Sequence, residues 1–402
     1  MKNIVLSILL CTIFISTVFG IGPNLYPLRI FVPIALVYFS IYLFQKVILY
    51  REKIEVKPFI FLSLVFFIYT FFHTSIVTYL RMELLGNNYE INSIINFTFL
   101  LFYILLLHMV SIALPNTFLS KAKSVITIFY FLYAVYAFYE IFTGNHLAVS
   151  NLYDAPNWLR FSPTVVYNNS NDFAAIFTLM FIFLISEYDK KKRWSFLWIV
   201  FFFLLHIFII YKSQSRLSLL MTFLFFGYRY PKKFIYSGVI GLLIIILMGL
   251  LTNNMWYAQL IDDLSKLKTD LSFSERQSTF VRMYLYKHAL LSVPSSFGLG
   301  YGIDYSAEYY RTINDANLYY ITNPHSFIFE LLINSGLVSC LFYIILNGYL
   351  LLKNWINKNY DLIIQIVIFN LILFSSSSSL FIWPIYLFFI IYICKSLQEE
   401  RL

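Results

Sequence analysis

Long apolar runs recur along most of the chain and are separated by short polar segments. Twelve runs reach or approach the roughly 20 residues that a helix needs to cross a bilayer. The pattern therefore predicts an all-α integral membrane protein with about 12 transmembrane helices. The eighth run and the last two are short, so each is tilted, re-entrant or wrongly bounded. The runs lie near residues 4–21, 30–48, 59–80, 93–114, 124–142, 167–187, 195–211, 217–228, 234–252, 325–352, 361–376 and 380–394.

One long segment, 253–324, interrupts this alternation. It divides the chain into residues 1–252, with nine predicted transmembrane helices, the loop itself, and residues 325–402, with three more. Apolar residues recur at helical spacing from Trp256 to Leu267, which predicts a helix lying in the plane of the membrane interface.

The second half of this loop has its own pattern. A further helical stretch is predicted from about Thr279 to Ser292, and "FGLGYG" at 297–302 is expected to form a flexible turn. Tyr301 and several other tyrosines follow. Such side chains suit two environments: sugar rings, which pack on aromatic faces, and the headgroup region of a membrane.

Composition and charge give the topology. The chain has 60% hydrophobic and only 12% charged residues, with a mean hydropathy of +0.74, which excludes a water-soluble fold. Most Lys and Arg residues fall in short segments that share one side if the N-terminus is inside. The positive-inside rule then places both termini in the cytoplasm and 253–324 outside. The net charge of +9 therefore reports topology, and no nucleic acid is needed to explain it.

Residues near the N-terminus and the cysteines suggest no further processing or metal chemistry. The run after Lys2 is longer than a signal-peptide core and lacks a small-residue cleavage site, so we interpret it as an uncleaved first helix. Cys11, Cys340 and Cys394 are far apart and show no metal-binding spacing or disulfide framework. We expect no metal and no cofactor.

Several cationic side chains are predicted on the outer side, against the general charge bias. These are Arg216, Arg276, Arg282 and, when protonated, His325. Such a cluster is costly unless it binds an anion, and the arginine fork suits phosphate oxygens. Arg216 lies at a span end, where it either snorkels to the interface or binds a ligand. Arg276 and Arg282 do not share an ideal helix face, so one of them is expected to point into a site.

Polar residues where two spans begin are the other candidates. His325, at the start of the tenth span, is a cap or packed side chain taken alone; beside arginines, neutral imidazole is a competent base. Glu330, about one and a half turns further on, is either a hydrogen-bonded bundle residue or an orienting group or alternative base. Asn171 and Asp172, in "YNNSND" at the sixth span, either cap the helix or contact substrate.

Taken in order, these motifs resemble the O-antigen ligase/polymerase superfamily, the Wzy- and WaaL-type bacterial membrane glycosyltransferases. The resemblance covers roughly 165–345 and rests on "NNSNDFAAIF", "SQSRLSLL", the Arg-rich stretch before "FGLGYG", and "NPHSFIFELLINSGL". One departure is that Ser326 follows His325, where the family often has Asn.

The resemblance implies an enzyme of the bacterial cytoplasmic (inner) membrane that transfers glycan from a polyprenyl-pyrophosphate donor, such as undecaprenyl pyrophosphate. It is most like a Wzy polymerase, which joins lipid-linked oligosaccharide repeat units into O-antigen or capsule. We expect metal-independent, inverting transfer: Arg216 and Arg282, with Arg276, bind the pyrophosphate, and His325 handles the acceptor proton. A chain-length regulator, a flippase and membrane lipid are the expected partners.

Three alternatives remain open at this point. A ligase of the same family would transfer finished polymer to a lipid or protein acceptor. A flippase or other transporter would favour charges lining a central cavity and a two-fold internal repeat, neither of which is visible in the sequence. A non-catalytic scaffold would not need the outer arginines.

Overall fold

The structure is a computed structural model, and every regular element in its described residues is helical. Helical structure satisfies each backbone polar group within its own segment, as a membrane environment requires. The described residues are 2–15, 27–51, 57–85, 91–153, 161–189, 196–232, 234–235, 278–303, 309–310, 313, 324, 326–375 and 383–398.

Twelve α-helices lie within these residues, and one π-helical turn, Gln45–Leu49, extends the second. In chain order they are α1 (Lys2–Ile15), α2 (Pro27–Phe44), α3 (Pro58–Leu85), α4 (Ile91–Ala113), α5 (Pro115–Thr143), α6 (Ser170–Asp189), α7 (Phe196–Lys212), α8 (Arg216–Arg229), α9 (Ser278–Ser295), α10 (Phe327–Ile356), α11 (Tyr360–Ser375) and α12 (Trp383–Gln398).

Apolar length supports the membrane assignment. Five stretches are long and apolar enough to cross a bilayer: Arg29–Leu49, Pro58–Arg81, Pro115–Thr143, Ser170–Tyr188 and Phe327–Ile356. Five shorter apolar helices accompany them. The protein is therefore a multi-pass, all-α membrane protein, while the count of 12 spans stays a prediction. The ninth predicted span, apart from 234–235, and the helix predicted at Trp256–Leu267 lie outside the described residues.

Helix boundaries differ from the predicted runs at several places. Residues 115–123, predicted as an inner segment, form the first turns of α5, which begins at Pro115. Proline favours the first position of a helix, because its missing N–H has no helical partner there. The helix predicted in the loop from Thr279 to Ser292 is confirmed as α9.

Two helices form the centre of the bundle. α12 contacts α1, α4, α5, α6, α10 and α11, and every residue from Pro384 to Leu397 is buried. α6 contacts α5, α7, α8, α11 and α12, and 83% of its most apolar window is buried. A helix that is apolar all round belongs inside a bundle. Around these two, each helix contacts the next in the order α1, α2, α4, α3, α10, α11, α8, α7, α5.

Helix ends that the predicted topology assigns to the cytoplasmic side meet one another. Basic side chains there bind the carbonyl or carboxylate groups of neighbouring helices, which favour positive charge at helix C-termini. The pairs are Lys57 with the Leu397 carbonyl (3.0 Å), Lys123 with the Glu187 carbonyl (3.2 Å), Lys395 with the Glu187 carboxylate (2.8 Å), and Arg229 with Asp361. These contacts agree with the predicted alternation of helix direction.

At the opposite end, residues 297–303, which we call the glycine turn, bind to α10 through main-chain atoms. Three hydrogen bonds join them: Tyr301 N–H to the Ile333 carbonyl (2.8 Å), Gly302 N–H to the Asn334 carbonyl (3.0 Å), and Leu337 N–H to the Gly298 carbonyl (2.8 Å). The flexible turn expected from "FGLGYG" is instead a docked segment.

The glycine turn also binds α3. Arg81 donates from Nη1 to the Tyr301 carbonyl at 2.9 Å, and His73 Nε2 lies 2.8 Å from the Leu299 carbonyl. Thr78 Oγ1 accepts the N–H of Ile303 at 2.9 Å. Because the turn connects to α9, these bonds fix that helix against the ends of α3 and α10.

Close main-chain approach explains why glycine is needed here. Gly336 interrupts α10 with φ 82° and ψ 179°, and a Cβ added to it would lie 2.4 Å from the Gly298 carbonyl oxygen. A Cβ on Gly300 would lie 2.5 Å from the Gly336 nitrogen. Both glycines have positive φ, which other residues rarely adopt.

Gly336→Ala should lower the stability of the bundle by roughly 2 kcal/mol or more, because it adds left-handed strain and a clash with the turn. The matched control is Gly348→Ala on the same helix, where an added Cβ meets nothing within 4 Å. Thermal unfolding of detergent-solubilised protein measures both. Equal unfolding midpoints for the two variants would contradict the docking.

Candidate functional site

One cluster of predicted site residues forms where α9 packs on α10. Val281, Leu285 and Ala289 form the buried face of α9 and pack in one cluster with Ile333 of α10 and Tyr310 of the loop. Arg282 lies next to this face and is half-buried. The helical spacing of the buried residues thus holds Arg282 at the junction of the two helices.

Aromatic side chains line this junction. The Tyr286 ring stacks on Phe329 with ring centres 4.3 Å apart, and the Tyr310 hydroxyl donates to the Leu285 carbonyl at 2.8 Å. Burial raises the pKa of Tyr310, and the nearby Glu330 carboxylate raises it further. Burial also raises the pKa of Tyr286, while the positive charge of Arg282 opposes that shift. Arg282 and Glu330 therefore act electrostatically on the same tyrosine cluster.

Tyr301 joins this cluster from the glycine turn. Its ring stacks on Tyr309 at 5.4 Å, and its hydroxyl donates to Ser295 Oγ at 2.6 Å. Tyr309 in turn donates to the His288 carbonyl at 2.9 Å. The predicted substrate-binding tyrosine is therefore held in place by α9 and by a second aromatic ring.

The start of α10 gives a structural role to Ser326, the residue at which the family often has Asn. Ser326 caps the helix, its Oγ accepting the N–H of Phe329 at 3.5 Å. Asn caps helices about as well as Ser, so the substitution preserves this function. Glu330 follows in the first turn and is 4% exposed. His325, the predicted base, lies outside the described residues.

A second group of candidates lies at the N-termini of α6 and α8. Asn169 Oδ1 accepts the N–H of Asp172 at 2.9 Å, and Asn169 Nδ2 donates back to the Asp172 carboxylate. This reciprocal arrangement is a helix cap, the structural alternative predicted for this motif. Asn171 is half-buried beside it, and substrate contact by Asn171 and Asp172 stays a prediction.

Arg216 occupies the first position of α8, directly after a tight turn in which Gln214 has φ 59°. Its side chain is exposed. A helix N-terminus carries partial positive charge and, together with a guanidinium, favours anions. Anion binding by Arg216 stays a prediction.

The structure therefore places the described candidate residues in two groups. Arg282, Glu330 and Tyr301 all lie on the elements that form the α9–α10 junction. Asn171, Asp172 and Arg216 lie at one end of α6 and α8, which pack against each other. Arg276 lies outside the described residues. Within the described residues, no group of three His, Cys, Asp or Glu side chains is arranged to hold a metal ion.

A buried network around Glu140 was missed in the sequence. Its carboxylate is fully buried at the end of α5 and accepts the N–H groups of Thr164 and Val165 at 2.8 and 2.7 Å. His146 Nδ1 lies 2.9 Å from the same carboxylate, and the Thr164 hydroxyl donates to Ser150 at 2.9 Å. An ionisable residue at the end of an apolar run was the available signal. The network orders the loop that leads into α6.

Two further residues with a structural role were not recognised from sequence. Neither His73 nor Arg81 was among the predicted site residues. Both bind carbonyl groups of the glycine turn, more than 200 residues away in sequence. The positions of His73 and Arg81 within α3 do not indicate which segment they bind, so sequence alone could not predict this contact.

An apolar cavity lies next to the α9–α10 junction. Its volume is about 40 Å³, enough for a few water-sized groups. Phe327 and Leu331, which flank Glu330 along α10, line one part of it, and Phe66, Tyr343 and Phe389 line another. The cavity therefore lies inside the bundle beside the candidate site.

Comparison with known proteins bears on this geometry. Residues 199–344, which contain Arg216, Arg282, Tyr301 and Glu330, match the family described as O-antigen ligase. The resemblance to the O-antigen ligase/polymerase superfamily is thereby confirmed. The chain is also similar to the teichuronic acid biosynthesis protein TuaE of Bacillus subtilis (strain 168), at 28% identity over 230 residues. That match covers 54% of this chain and 46% of TuaE, so the chain spans about half the length of this relative.

Glu140→Gln should loosen the loop before α6, because an amide cannot accept all the hydrogen bonds that the carboxylate does. We expect the backbone amides of Thr164 and Val165 to exchange hydrogen for deuterium about tenfold faster or more, given about 1.5–3 kcal/mol per charged hydrogen bond. Tyr139→Phe, at the exposed neighbouring position, is the control. Unchanged exchange in Glu140→Gln would rule out this role.

Proposed function

We propose that this protein polymerises polyprenyl-pyrophosphate-linked oligosaccharide repeat units into a cell-surface polysaccharide. The observation that carries the proposal is the packed junction of α9 and α10, whose two helices present half-buried Arg282 and buried Glu330 near one cluster of tyrosines. The family match and the similarity to a teichuronic acid biosynthesis protein support a glycosyltransferase of this type.

Pyrophosphate is the ligand that the cationic residues fit. Arg282 is half-buried, so its charge is less screened by water than that of a surface arginine. Arg216 contributes from the exposed N-terminus of α8, and Arg276 is assigned to the same ligand by the sequence. In the proposal they bind the donor pyrophosphate and stabilise the charge that develops on it as it leaves.

The transfer itself is a single displacement. The acceptor hydroxyl oxygen forms a bond to the anomeric carbon while the bond from that carbon to the phosphate oxygen breaks. The leaving pyrophosphate takes the bonding electrons, and His325 takes the hydroxyl proton. Attack from the opposite face inverts the anomeric configuration. Glu330 orients the base or acceptor, or takes the proton in its place.

The remaining groups complete a substrate path. Tyr301 and Tyr309 offer stacked ring faces and fixed hydroxyls that suit sugar rings. The apolar lining of the cavity suits a short apolar portion of the lipid donor. In the proposal the loop 253–324 and the site face outward from the bacterial cytoplasmic membrane, with both termini in the cytoplasm. A flippase then supplies the donor, and a chain-length regulator acts on the product.

A ligase is the second candidate, and the description of the matching family favours it. It would use the same donor chemistry but transfer finished polymer to a lipid or protein acceptor. The two functions differ in the acceptor, so the products in cells distinguish them.

Arg282→Ala should reduce polymer formation by about 100-fold or more while the protein level stays normal, because one electrostatic donor to the leaving group is lost. Arg282→Lys should recover only part of the activity, since an ammonium lacks the planar fork. Lys358→Gln, which removes one exposed charge after α10, is the matched control and should behave as wild type. Polymer amount and length are measured by gel electrophoresis. An unchanged length distribution in Arg282→Ala would refute its assignment.

Deletion of the protein, followed by complementation, separates the functions. For a polymerase, deletion leaves a single repeat unit on the normal final acceptor, and only wild type, not His325→Ala, restores the ladder. Long polymer that accumulates on the polyprenyl carrier would identify a ligase. Repeat units trapped on the cytoplasmic face would contradict both functions.

A further inference from the structure

The side of α9 that faces away from the bundle carries an unexpected set of large apolar side chains. Together with the glycine turn it forms a surface that we call the outer apolar face. Its five side chains are between 49% and 92% exposed, and Phe297 is the most exposed of them. The members are Met283, Leu290, Leu291, Phe297 and Leu299.

The outer apolar face lies opposite the buried face of α9. At 100° per residue, Met283 and Leu290 point to nearly the same side, roughly 150° from the mean direction of Val281, Leu285 and Ala289. The helix therefore carries apolar side chains on two sides, and its interior packing explains only one of them. Exposed Lys287 lies between Met283 and Leu290, with its ammonium group 5.9 Å from the centre of the Tyr284 ring. It contains no acidic residue, and its charged groups are cationic.

The outer apolar face is continuous with the surface that α10 presents to lipid. Gly298 bonds to the N–H of Leu337 at 2.8 Å, so Phe297 and Leu299 flank a point of direct contact with α10. Leu337, Val338 and Leu341 are apolar residues on that helix and are 38%, 52% and 47% exposed. A span that exposes such residues does so to hydrocarbon.

The length of α10 indicates where the contact between α10 and the glycine turn lies relative to the bilayer. Its second part, from Leu337 to Ile356, contains about 20 residues and is about 30 Å long, which matches the hydrocarbon thickness of a bilayer. Lys353 and Trp355 near its far end are typical of a membrane boundary. The Gly336 kink and the glycine turn then lie at the other boundary, between hydrocarbon and headgroups.

We propose that α9 and the glycine turn form an interfacial anchor, with the outer apolar face inserted among the lipids of the adjacent leaflet. An amphipathic cationic helix at this level buries apolar side chains at the acyl boundary. The anchor fixes the depth of Arg282, which lies on the flank of α9 between the inserted and the packed faces. An arginine held at the level of the lipid headgroups can bind the anionic group of a membrane-anchored ligand at the membrane surface. The anchor itself does not depend on which reaction the protein catalyses.

Spin labels on the full chain in proteoliposomes test this anchor. Cys11, Cys340 and Cys394 are replaced by alanine, and single labels are placed at Phe297→Cys and, independently, at Leu290→Cys. The lipid control is Leu341→Cys on α10, and the water control is Asn151→Cys, at an exposed position in the loop after α5. Collision with oxygen, which concentrates in hydrocarbon, is compared with collision with a water-soluble nickel chelate.

We expect the oxygen-to-nickel collision ratio at both test positions to be several-fold above that of Asn151→Cys and to approach that of Leu341→Cys. Ratios equal to that of Asn151→Cys would overturn the proposal, because the face would then be in water. Immobile labels that neither reagent reaches would also overturn it, since a protein surface would then cover the face. The two test positions are largely exposed, so labelling them leaves the fold intact.

Discussion

The backbone joint between the glycine turn and α10 is the contact on which the candidate site depends. Gly298, Gly300 and Gly336 let two main chains approach within hydrogen-bonding distance without side chains between them. The joint fixes α9, and α9 in turn fixes Arg282 beside the tyrosines near Glu330. Within the described part of the loop, α9 and the glycine turn thereby become a fixed part of the candidate site.

Sequence reasoning reached the features that depend on local pattern. Apolar run lengths and charge bias predicted an all-α membrane protein whose helix ends meet as expected, and the loop sequence predicted a second helical stretch from about Thr279 to Ser292, which is α9. The capping role of Asn169 and Asp172 was likewise one of two alternatives, because caps are local chemistry. Helix boundaries were less accurate: α5 begins at Pro115, where the residues are too polar to count as part of an apolar run.

Features that depend on distant partners were missed for a physical reason. His73 and Arg81 bind main-chain carbonyls, which every residue has, so no side chain in the loop signals the pairing. The hydrogen-bond partners of Glu140 come from a loop with an irregular backbone, which shows no periodicity in the sequence. Arg216 was predicted at a span end; the structure places it at the start of α8, a position that depends on the turn at Gln214.

The main-chain nature of the joint has a consequence for how this protein can vary. Because none of the three hydrogen bonds between the turn and α10 uses a side chain, substitution of Leu299 or Tyr301 leaves these three bonds in place. In the proposed function, such substitutions would change which sugar the turn contacts while its main-chain geometry stays constant. Recognition and attachment would then depend on separate atoms of the same few residues.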